Sequence, residues 1–81
     1  MTEYGEQFNA AVAAELRAER ARVGTSYDEL VRLSGLAKSS VQRYLSGKRD
    51  IPLPALLDLC RALNISPRVI FDRAYESVEQ N

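Results

Sequence analysis

The chain has no histidine and no tryptophan, and only one cysteine, three prolines and four glycines in 81 residues. Without histidine it lacks the commonest general base and transition-metal ligand. A lone cysteine excludes an internal disulfide. Cys60 stands at helical spacing from Leu56 and Leu63, which reads as a small core residue. No glycine-rich phosphate loop and no paired acidic catalytic motif occurs, so no enzyme activity, metal or cofactor is expected. No apolar run approaches the roughly 20 residues that span a bilayer, so no membrane role is expected. Residues Met1 to Gln7 are acidic and polar, unlike the basic-then-apolar start of a signal peptide. With one cysteine and no such start, a reducing cytoplasm is the expected setting.

Net charge is missing as well: 11 basic residues face 11 acidic ones. Taken whole, that balance argues against a nucleic-acid partner. The distribution argues for one. From Arg17 to Arg49 there are eight basic and three acidic residues, while the acidic excess lies in the rest of the chain. A basic middle between acidic ends can hold a local phosphate-binding face.

What is present is apolar patterning at helical period over most of the chain, 46% of which is hydrophobic. Eighty-one residues suit a single domain, with a core over about 8–73 and an extension over 74–81. Phe8, Val12 and Leu16 make one stripe of an Ala-rich first helix, expected over Phe8–Val23, with Gly24 closing it. Ser26-x-x-Glu29 reads as a capping box for a second helix, whose Leu30 and Leu33 point inward and which ends at Gly35. A third helix is expected over Lys38–Leu45, followed by a loop from Ser46 to Asp50. Pro54 suits the first turn of a fourth helix, which closes the core with Leu56, Leu57, Leu59, Cys60 and Leu63. Asn64 ends it with positive φ. Ser66-Pro67 then starts a fifth helix with Ile70, Phe71, Ala74, Tyr75 and Val78 on one face.

The third helix is two-sided. At about 100° per residue, Lys38, Ser39, Gln42, Arg43 and Ser46 fall within an arc of about 140°. Val41, Tyr44 and Leu45 fall opposite. A helix anchored on one face and carrying Lys, Gln and Arg on the other is shaped for a DNA major groove. There Arg and Lys reach guanine O6 and N7, and Gln reaches adenine. Ala37 occupies the N-cap position without a capping side chain, a loss of about 1 kcal/mol. Its methyl group can meet a thymine methyl.

The ordered set Leu16-Arg17-x-x-Arg20, Gly24-x-Ser26-x-x-Glu29-Leu30, Gly35, Val41, Ser46-Gly47-Lys48-Arg49 and Leu56-x-x-Leu59 resembles the Cro/phage-repressor helix-turn-helix family, the XRE-like class. The resemblance covers about residues 8–71. It implies an all-α, compact, five-helix lambda-repressor-like domain with the helix-turn-helix at helices two and three. It implies sequence-specific binding of double-stranded DNA by a prokaryotic or phage transcription regulator in the nucleoid or the infected cell. Carried over, the base-reading positions are Lys38, Ser39 and Arg43, with Ala37 just before and Gln42 beside them. Ser26 and Tyr27 take the polar positions that face the DNA backbone at the start of helix two. Ser46, Lys48 and Arg49 extend backbone contact past the recognition helix. Arg20 departs from the family, whose acidic partner late in helix three is replaced by Leu45. It therefore turns to phosphate or lies over Tyr44 and Leu45.

One such helix covers only a few base pairs, so a homodimer on a two-fold operator is expected, with repression the expected outcome. Tyr75 and Val78 lie beyond the family match and serve as a dimer contact, a frayed tail or the start of a linker. The rival function is a protein-interaction module of the same fold, an antitoxin or anti-repressor-like partner with a secondary DNA role.

Overall fold

The computed structural model describes residues 3–80. Five α-helices follow in order: α1 (Glu3–Val23), α2 (Tyr27–Ser34), α3 (Lys38–Ser46), α4 (Leu53–Ala62) and α5 (Pro67–Glu79). No strand occurs among the described residues. Helix α1 packs against α3 and α5, while α2 packs against α3 and α4. The helix-turn-helix pair is thus held from behind by the rest of the domain.

The turns obey their local chemistry. Gly24, Gly35 and Gly47 have φ of 75–80°, and Asn64, the one non-glycine residue with positive φ among those described, has φ 57°. At the end of α3 the Lys48 N–H reaches back to the Arg43 carbonyl at 3.2 Å and the Gly47 N–H to Tyr44 at 3.1 Å. These bonds satisfy carbonyls that a helix end leaves open. Ser66 caps α5 by accepting from the Arg68 N–H at 3.2 Å, with Pro67 at the first helical position.

Helix α1 begins at Glu3, five residues before the expected Phe8. Tyr4 packs on Phe8 in a tilted arrangement with ring centroids 6.3 Å apart, and Glu3 and Glu6 place negative charge at the positive end of the helix dipole. Helix α4 starts one residue before Pro54, and α3 runs one residue past Leu45.

The core joins Leu16 of α1, Leu30 of α2, Val41 and Leu45 of α3, Leu59 of α4 and Ile70 of α5, all fully buried. Cys60 belongs to it, and burial pushes its thiol pKa up, which keeps it protonated and unreactive. Three expected core residues are in fact largely exposed: Leu33 at 50%, Leu57 at 46% and Phe71 at 38%. Each lies about 80–110° around its helix from the middle of the buried pair that faces inward. Leu30 and Val31 carry the inward face of α2, Leu56 and Cys60 that of α4, Ile70 and Ala74 that of α5. Phe71 stays against Phe8, the ring centroids 5.9 Å apart.

Helix α5 continues unbroken to Glu79, and Ala74, the first residue of the expected extension, is completely buried.

Candidate nucleic-acid interface

The third helix presents two opposite faces, and burial separates them cleanly. Val41, Tyr44 and Leu45 are buried; Lys38, Ser39, Gln42, Arg43 and Ser46 are exposed. Burial of three sizeable side chains fixes the rotation of α3 about its axis, and that rotation sets what the outer face offers. Ala37 is its N-cap at φ −65° and ψ 146°, exposed and without a capping bond. At the other end of α3, Arg17 of α1 donates from Nη1 to the Leu45 carbonyl. This closes an open carbonyl and sets positive charge at the negative end of the dipole. The contact to Leu45 that the sequence suggested for Arg20 is thus made by Arg17, one turn earlier on α1.

Arg20 itself is half-buried and points elsewhere. Its Nη1 donates to the Thr25 carbonyl at 2.7 Å, and its guanidinium lies 4.6 Å from the centre of the Tyr27 ring. It ties the α1–α2 turn to the first residue of α2. Tyr27 is correspondingly half-buried, packed on the core with its ring under a cation.

Ser26 caps α2 in extended geometry, its Oγ accepting from the Glu29 N–H at 3.1 Å. Glu29 lies 3.8 Å from Arg32 on its own helix. Asp28, in the same first turn, reaches across to α3 and pairs with Lys38 at 3.2 Å. The start of α2 therefore carries two carboxylates of its own beside the exposed face of α3.

At the last residue of α3, the Ser46 hydroxyl donates to the Arg43 carbonyl at 3.0 Å and accepts from the Lys48 N–H at 3.4 Å. Lys48 and Arg49 are exposed. The segment they stand on is held by Asn9 of α1. Its Nδ2 donates to the Arg49 carbonyl at 3.2 Å, and its Oδ1 accepts from the Ile51 N–H at 2.9 Å. Sequence reasoning passed over Asn9, although a polar residue in an Ala-rich helix was a signal that could have raised it.

Glu19 was passed over too. It is 2% exposed and accepts from Arg22 of α1 and, at 3.2 Å, from Arg73 of α5. The Arg22 hydrogen bond, opposed by burial and helped by Arg73, holds its carboxyl below the usual range. This cluster joins α1 to α5 behind the interface.

Of the proposed dimer residues, Tyr75 is 53% exposed and Val78 is half-buried. Val78 lines a groove with Tyr4, Gln7 and Ala11 of α1, so the end of α5 lies along the start of α1.

An exposed helix face next to a buried one, set behind a short turn from a second helix, is the architecture of a helix-turn-helix. The family model described as "Helix-turn-helix domain" matches residues 11–70, well over half of the chain. The chain belongs to that family, and DNA binding is the function that membership implies. No curated protein and no solved structure matches the chain significantly.

Proposed function

We propose that the protein is a sequence-specific regulator of transcription of the Cro/phage-repressor, XRE-like kind, acting in the cytoplasm and without enzymatic activity. The observation that carries this reading is the exposed face of α3, where Ser39, Gln42 and Arg43 stand opposite the buried Val41, Tyr44 and Leu45. Arg43 offers a bidentate fork to guanine, Gln42 suits adenine, and Ala37 and Ser39 approach bases at the helix start. Ser26, Tyr27, Ser46, Lys48 and Arg49 make backbone contacts that set the register. Arg20 supports this surface from within, by positioning Thr25 and Tyr27.

A dimer on a palindromic operator, with half-sites about 34–36 Å apart, follows from the short reach of one recognition helix. Repression by occlusion is the regulatory outcome. The test is selection of bound duplexes from a random pool. A symmetric, sequence-defined site supports the reading; recovery of random sequence sinks it.

A second reading is favoured by the zero net charge and by the exposed apolar side chains of Leu53, Leu57 and Phe71. In it the domain binds another protein through that side, as an antitoxin or anti-repressor-like module. Salt separates the two, because a DNA complex weakens steeply with salt as counterions are released.

A further inference from the structure

Lys38 and Asp28 form an ion pair between the first turns of α3 and α2, with N–O separation 3.2 Å. Both side chains are largely exposed, at 61% and 82%. Lys38 sits at the edge of the face proposed to meet DNA, one residue from Ala37 and Ser39. It is also one of only two basic side chains on α3, the other being Arg43.

We infer that Asp28 is an affinity brake: it neutralises Lys38 at the mouth of the DNA-binding face and keeps that ammonium from adding a phosphate contact. The inference rests on the DNA-binding reading above. Three observations carry it. Asp28 does not cap α2, since Ser26 does that work through the Glu29 N–H. It lies on the outside of the domain, so its charge does not balance a buried group. The partner it selects belongs to the other helix of the pair, whereas the neighbouring Glu29 pairs within α2.

The physical consequence follows from counterion release. Each phosphate neutralised by a protein cation adds about 0.9 to the magnitude of the slope of log K against log salt. A lysine already paired with a carboxylate releases fewer counterions and contributes less. Lifting the carboxylate should therefore strengthen binding on every duplex and steepen its salt dependence. Readout then rests on Ser39, Gln42 and Arg43 rather than on Lys38. A chain of zero net charge with this brake dissociates readily from random DNA, while bases read by Arg43 still distinguish its site.

The experiment uses the full chain and four variants, with binding measured on the pool-selected duplex and on a random duplex over a salt series. Asp28→Asn should tighten both about 3–10-fold and increase the slope magnitude by about 1. Glu29→Gln removes a charge of the same sign from the same turn but frees only Arg32, so it should change affinity less than about twofold. In a Lys38→Gln background, adding Asp28→Asn should change affinity less than about twofold, because no ammonium is left for the carboxylate to neutralise. Equal tightening by Asp28→Asn and Glu29→Gln would reduce the effect to general charge and overturn the inference. So would an undiminished gain from Asp28→Asn in the Lys38→Gln background, because the carboxylate would then act without Lys38. An unmodified chain that binds DNA while Asp28→Asn leaves it unchanged overturns this inference alone. A chain that binds no duplex overturns the DNA reading and this inference together.

Discussion

Asn9 and Arg49, 40 positions apart, are joined by a hydrogen bond from the Asn9 amide to the Arg49 carbonyl at 3.2 Å. The same side chain accepts from the Ile51 N–H at 2.9 Å, so one asparagine grips both sides of Asp50. The segment carrying Lys48 and Arg49 is thereby fixed to the longest helix of the domain. Asn9→Ala should lower stability by about 1–3 kcal/mol, since it leaves a half-buried N–H unpaired. It should also weaken DNA binding without altering base preference. Thermal unfolding and duplex titration check both. A variant with unchanged stability shows that the clamp does not hold the loop.

Arg43→Ala and the double change Lys48→Ala, Arg49→Ala should fail in different ways. Loss of Arg43 should cost about 1–3 kcal/mol on the best site and relax one base position. Loss of Lys48 and Arg49 should weaken selected and random duplexes alike, and reduce the magnitude of the slope of log K against log salt by about 1–2. The contrast has a structural source: Arg43 stands on the rigid α3, the other two on the loop behind it. Uniform loss from Arg43→Ala would turn that residue into a phosphate contact.

The fold was legible from the sequence wherever a backbone rule or a period decided it. Gly24, Gly35 and Asn64 fall at left-handed turns as expected, and Ser26 and Ser66 cap the helices that follow them. Adjacent leucines were harder. Leu56 and Leu57, or Leu30 and Leu33, look alike in composition, and only the angle from the buried stripe separates them. The side-chain-to-backbone ties of Asn9 and Arg17 were not legible, because they join positions 28 to 42 residues apart. Glu19 was closer to reach. It continues the stripe of Phe8, Val12 and Leu16, about 20° from Phe8, and a charge on a buried stripe demands a partner. The two-sidedness of α3 was readable because its burial follows the helical period; the Asp28–Lys38 pair was not, because it joins two different helices.

The end of α5 bears on assembly. Tyr75 is exposed and Val78 lies against the groove beside Tyr4. Changing both to Asp should leave the domain folded, because Ile70 and Ala74 fill the core without them. If a second subunit packs there, the variant binds a paired half-site more weakly and a single half-site with less change. Sedimentation with and without DNA decides the matter: an unmodified chain that stays monomeric in both conditions removes the dimer role.

Acid should weaken the domain through Glu19. A glutamate carboxyl ordinarily titrates near 4.5, and here its pKa is lowered, first by the Arg22 hydrogen bond and then by Arg73, against the opposing effect of burial. A carboxylate whose pKa is lower folded than unfolded binds fewer protons in the folded state. Its stabilisation is complete above the unfolded value and is lost as pH falls through the folded one. Glu19→Gln removes the charge at every pH. At pH 7 it should cost about 1.5–3 kcal/mol, the range for hydrogen bonds to a charged group. As pH drops below about 4.5 the two proteins should converge, because the protonated Glu19 and the neutral Gln then resemble each other. Taking the difference cancels the other carboxylates, which titrate in both. Urea unfolding at pH 7, 5, 4 and 3 reads that difference directly. A gap that stays constant across the series would mean that the α1–α5 joint does not depend on the charge of Glu19.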